Sequence, residues 1–192
     1  MSFSLIDQFS SLTIAKVELF AFIVIFAWHW LIKTRKKNVL IIAGVMAVGM
    51  ALSNYVQAEV LPKLDFELRI YIWYLVWAGF SFLQPLAMVV LHVYFGVFLQ
   101  WRMKVVLLMM SFNTLLNMLL FLDRHVVALN GKPSPNYHPD NAWLLWDLYS
   151  VLINVNILFI VVTLLEKENR GRNYIWMLLL YCACWLFVYY LR

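Results

Sequence analysis

Charge is what this chain has least of: 13% of its 192 residues are Asp, Glu, Lys or Arg, while 65% are hydrophobic. Soluble domains carry roughly a quarter charged residues, so a water-facing globule is excluded and the bilayer has to act as solvent. Cysteine is nearly absent. Cys182 and Cys184 lie two apart in one apolar run, which on a helix points them to different faces and offers neither disulfide nor metal-ligand geometry. The six glycines are scattered singly, so no phosphate-cradling run exists, and neither an HExxH pattern nor a nucleophile with an appointed base appears. The N-terminus opens on Ser2, Ser4, Asp7 and Gln8 rather than on a basic stretch, and reads as lacking a cleavable signal peptide.

What the chain does have is long apolar runs. Ile70 to Trp101 contains no charged residue, and as a helix it would extend ~48 Å against a hydrocarbon core of ~30 Å. Around it the sequence predicts an all-α, polytopic integral membrane bundle of one domain, with spans at 12–32, 38–58, 70–99, 105–122, 142–165 and 174–191. Residues 1–11 read as a short interfacial helix or an ordered lead-in to the first span. Lys16 and Glu18 shorten the charge-free part of the first span to Leu19–Ile32; without that span the count would be five. In the second, Ala43, Ala47 and Ala51 with Gly44 form a small-residue face that lets another helix approach. The long loop 123–141 carries Asn130-Gly131, Pro133, Pro135 and Pro139, which are turn signals.

The basic residues cluster. Tips at 33–37, 102–104 and 166–173 hold nine Lys/Arg and two Asp/Glu, against six and eight elsewhere. The tips are therefore expected on the cytoplasmic side, with both termini and the long loop outside, in a cell membrane that would be the inner one in a bacterium. The net charge of +5 then marks topology and anionic lipid contact, not nucleic acid. Arg35, Lys36, Lys37, Arg102, Lys104, Arg170 and Arg172 are the candidates for docking lipid headgroups or a cytoplasmic protein.

Polar side chains within spans are the main functional pointers, since each is costly in lipid without a partner. Asn113 and Asn117 share a face of the fourth span, and Asp147, Ser150 and Asn154 share one in the fifth. With Gln84 at mid-depth of the third, these residues predict a polar seam, either interhelical glue or the lining of a pore. Asp147 reads as the one acid inside an apolar run away from a tip. It would titrate or coordinate a cation if it faces the bundle, or suit the helix dipole if it lies at headgroup level. His29 and His92, both toward the basic ends of their spans, are candidate axial ligands for haem, although a Trp-His-Trp interface cluster explains His29 without one. Asp123, His125, His138 and Asp140 could gather a divalent metal, though their spacing follows no metal motif.

These features lead to an expected non-enzymatic membrane component without cofactor, homo-oligomeric or joined to another membrane subunit. It would sense or transmit a membrane event, or anchor a cytoplasmic partner. A channel or small transporter using the seam is the second expectation, and a haem-binding redox or lipid-modifying protein the third. The 17% aromatic content, concentrated on the first, third and sixth spans, suits contact with lipid and other membrane helices.

Overall fold

A computed structural model describes residues 5–32, 36–127, 144–165 and 174–191. Six α-helices account for most of them: α1 (Leu5–Leu31), α2 (Lys37–Tyr55), α3 (Phe66–Tyr94), α4 (Trp101–Leu122), α5 (Leu144–Leu165) and α6 (Tyr174–Leu191). The all-helical class is as the sequence predicts. Three stretches are long and apolar enough to cross a membrane, Lys37–Lys63, Tyr71–Tyr94 and Trp101–Val127, with shorter apolar helices at Val151–Leu165 and Ile175–Leu186.

Two boundaries differ from those expected. Residues 5–11 are not a separate interfacial piece; they continue into α1 as one 27-residue helix, so Glu18 sits near its middle. The third helix stops at Tyr94, not at 99, because Gly96 takes φ +64. That left-handed residue lets the Gly96 N–H reach the Val93 carbonyl and the Val97 N–H reach the His92 carbonyl at 2.8 Å, a Schellman closure that satisfies the terminal carbonyls. Between α2 and α3 the chain loosens into a π turn (Val56–Val60) and tightens into a 3₁₀ turn (Leu61–Lys63) with Pro62 near its start. The Lys63–Glu59 pair there, 3.5 Å apart, is exposed and contributes little.

Helices adjacent in sequence pack side by side from α1 to α6, and α1 also packs on α5. That last contact closes α1–α5 into a five-membered ring, with α6 lying against α5 on its outside. Since neighbours alternate in direction, the ring has a basic end, where Lys36, Lys37, Arg102 and Lys104 stand, and a loop end, where Gln57, Glu59 and His125 stand. Its centre at the basic end is filled by Phe22, Ile42, Met46, Met88, Met103 and Ile160, all fully or almost fully buried. Val151, Val155, Phe159 and Cys184 form a second cluster holding α6 to α5.

Glycines set the closest approaches. A Cβ on Gly44 would meet the Phe26 ring at 3.2 Å, and one on Gly49 would fall 2.2 Å from Gln84 Nε2. The small face of α2 is thus used partly as expected, Ala43 being buried and Ala51 exposed.

Candidate functional site

Two polar networks lie inside this packing, one at each end of the ring. At the basic end, His92 donates from Nδ1 to the Met88 carbonyl at 2.7 Å and meets the Asn38 amide at Nε2, 3.0 Å away. Asn38 in turn bonds the Gln100 side chain at 2.5 Å, linking the start of α2, the end of α3 and the segment before α4. His92 and Asn38 are buried, and Arg102 is 1% exposed beside the Trp101 ring. Arg102 is therefore not displayed for docking, unlike Lys37 and Lys104, which are exposed; Lys36 is half-buried. Arg35, Arg170 and Arg172 lie outside the described residues.

This geometry bears on haem. Both His92 nitrogens already face polar atoms of the chain, so the ring has no nitrogen to offer iron without breaking the Asn38 or Met88 contact. His29 is half-buried within electrostatic range of Lys36 and Arg102, a cationic setting explained by the tip itself. The Nδ1 bond to the Met88 carbonyl is one a ligating histidine also makes, so iron would compete with Asn38 for Nε2. Asn38→Leu is expected to lower stability by about 1–2 kcal/mol, since it leaves His92 and Gln100 without their partner; thermal unfolding in detergent measures it.

Toward the loop end lies the network that the sequence predicts as a seam, and Tyr149 and Asn156 of α5 take part in it. Asn156 donates to Asn113 Oδ1 at 2.7 Å and accepts from the Tyr181 hydroxyl at 2.8 Å, tying α4, α5 and α6 through one amide. Asn117 donates to the Asn113 carbonyl at 2.8 Å and accepts from the Tyr149 hydroxyl at 2.7 Å. From α5 the network is thus joined by Tyr149 and Asn156, seven apart, and Asn154 is half-buried. The side chains of Asp147 and Ser150 lie outside the described ones. Tyr149 also meets Tyr74 of α3 edge-on with ring centroids 6.0 Å apart, a contact that crosses the ring from α5 to α3.

Of the four residues that could gather a metal, two are described. Asp123 is buried at the start of a π turn (Asp123–Val127), and His125 is packed among Tyr71, Tyr74 and Phe121. His138 and Asp140 lie outside the described residues. Among the described residues no three His, Cys, Asp or Glu side chains gather as a metal site would require.

The residue that the sequence reading passed over is Glu18. Asp147 reads as the one acid within a span because residues 1–11 are taken as a separate segment, which puts Glu18 at an end. In the helix it occupies a stripe with Phe22 and Ile25, at i, i+4 and i+7, and all three are buried. Glu18 is 8% exposed and makes no hydrogen bond or ion pair with the described residues. An unpaired carboxylate in such a place costs several kcal/mol. Gln84 Oε1 is also buried without a hydrogen bond, its amide seated on Gly49. The signal that could have exposed Glu18 is its helical spacing from Phe22 and Ile25. The chain matches no family model, no curated protein and no solved structure.

Proposed function

We propose that the protein is a non-enzymatic integral membrane component, acting with copies of itself or another membrane subunit, that senses an event in the membrane and transmits it. The observation that supports this reading is how the interior is filled. The basic-end half of the ring is packed with Phe22, Met46, Met88 and Met103, the Tyr74–Tyr149 contact crosses the other half, and the amides of α4 and α5 bond to each other. A seam engaged in this way joins helices and does not line a water path. Transmission would require this network to take a second bonding arrangement, as a two-state element does.

In this reading the basic tips lie at the cytoplasmic face and both termini outside, with Lys37 and Lys104 against anionic lipid headgroups or a cytoplasmic partner. Extraction directly into native-lipid nanodiscs, followed by mass measurement, is expected to give particles holding more than one 22.7 kDa chain or a chain with a membrane partner; lone protomers in every particle would overturn it. The channel or transporter reading keeps one supporting observation, the buried Glu18, which has no hydrogen bond or ion pair among the described residues. It predicts that proteoliposomes pass Na⁺, K⁺ or small osmolytes faster than empty vesicles, whereas the sensor reading predicts no difference.

A further inference from the structure

We propose that Glu18 is a proton-exchange site that opens toward the loop end of the bundle and is closed toward the basic end. The inference goes beyond the sensor reading and stands on the placement of the side chain.

The packing of Phe26 on Gly44 registers α1 against α2. Glu18 lies eight residues from Phe26, ~12 Å along the helix, and is therefore level with Leu52 on antiparallel α2. From that level toward the basic end, the stripe below Glu18 is Phe22 and Ile25, and α2 contributes Met50 and Met46, all buried and apolar. No polar side chain of these two helices interrupts that stretch until the tips, where Asn38 is already bonded to His92 and Gln100. Toward the loop end the character reverses. Ser53, Asn54 and Gln57 are each half-buried, and Ser53 and Gln57 stand four apart on one face of α2 and its continuation. Ser53 donates to the Met50 carbonyl at 2.9 Å, leaving its oxygen as an acceptor. On α1 and α2 the polar side chains thus lead from the carboxyl toward the loop end, and on the basic side of that level the polar neighbour is Gln84 of α3, against Gly49.

Gln84 adds an independent sign. Its Oε1 is buried without a hydrogen bond, and its amide rests on Gly49, three residues from Leu52 and so ~4.5 Å along α2 from the level of Glu18. It is an unsatisfied acceptor near that level, on the side toward the basic end. The exchange itself is simple: the O–H bond of the neutral acid breaks, the proton passes to water at the loop end, and the carboxylate keeps the electron pair. The charged and titratable groups on the elements packed against α1 are few. Lys37 is exposed at the far end of α2, Tyr55 and Glu59 are exposed at the loop end, and Tyr149 of α5 is bonded to Asn117. Asp147 of α5, whose side chain lies outside the described ones, is the other acid to be told apart.

The experiment is covalent labelling with dicyclohexylcarbodiimide, an apolar reagent that attacks protonated carboxyls, on the full chain in nanodiscs, with peptide mass spectrometry to locate the adduct. Labelling at Glu18 is expected at acidic pH and to fall about tenfold per pH unit once the acid ionises, without change when Na⁺ replaces choline in the buffer. Absent labelling, labelling confined to Asp147, or labelling that ignores pH would overturn the proposal. Protection by Na⁺ at fixed pH would overturn it in favour of a sodium site. Glu18→Gln serves as the blank, and the wild-type titration decides the question if that variant does not fold.

Discussion

Phe22→Ala is expected to lower the unfolding free energy of the bundle by roughly 2–3 kcal/mol. The ring side chain is fully buried at the centre of the five-helix ring, among Ile25, Met46 and Met88. Its removal leaves a void of about 100 Å³, at about 24 cal/mol per Å³. In water a further transfer term would be added, but lipid tails solvate a phenyl ring almost as well as the interior does, so that term largely cancels here. The flexible methionines lining the void can move in and recover part of the loss, which sets the lower end of the range. Unfolding by SDS titration in mixed micelles measures the difference, and a change below about 1 kcal/mol would mean that the ring centre is less tightly packed than described.

Asn156→Leu is expected to cost about 1–3 kcal/mol and, unlike the Phe22 change, to loosen one helix selectively. Asn156 holds Asn113 on one side and Tyr181 on the other, so a leucine leaves the buried Asn113 and the half-buried Tyr181 without their partner. Interhelical bonds in membranes average ~0.6 kcal/mol with maxima near 1.7, and two such bonds set the scale. Because α6 lies outside the ring, the loss should appear first there, as faster hydrogen exchange and easier proteolysis in 174–191 with α1–α4 unchanged. Equal loosening of all helices would show that Asn156 supports the whole bundle instead. Tyr181→Phe, which removes only the outer of the two bonds, should reproduce the α6 effect in part.

The six helices were legible because they depend on length and hydropathy, which the bilayer enforces strongly. So was the contact of α4 with α5 through Asn113 and Asn117. The parts that Tyr149 and Asn156 play in it were not. Asp147, Ser150 and Asn154 follow a helical stripe as well as Tyr149 and Asn156 do, and choosing between two stripes of one apolar helix depends on its rotation, which is set by packing. Asn38 and Gln100 escaped for a different reason: each stands at the edge of an apolar run, where a polar residue is ordinary, and only the turn at Gly96 brings Gln100 back over His92 and Asn38. Glu18 was obscured by a boundary, since starting the helix a few residues late turns a central side chain into a terminal one. Arg102 was grouped with displayed charges because a tip position in sequence does not reveal whether a side chain folds inward.

The ring is closed by its most distant partners in sequence, α1 and α5, and this has a consequence for how the chain is made. From Glu18 to the end of α5 at Leu165 about 147 residues must be synthesised, which at ~5–20 residues per second takes roughly 7–30 s. Throughout that interval the α1–α2 hairpin has no α5 beside it, and its carboxyl faces either lipid or whatever holds nascent helices at the insertion site. A free hairpin would be poorly retained in the bilayer, so α1 should stay beside the translocation machinery until the fifth helix emerges. The slowest step in biogenesis is then a waiting time, governed by the length of chain between two helices that end as neighbours.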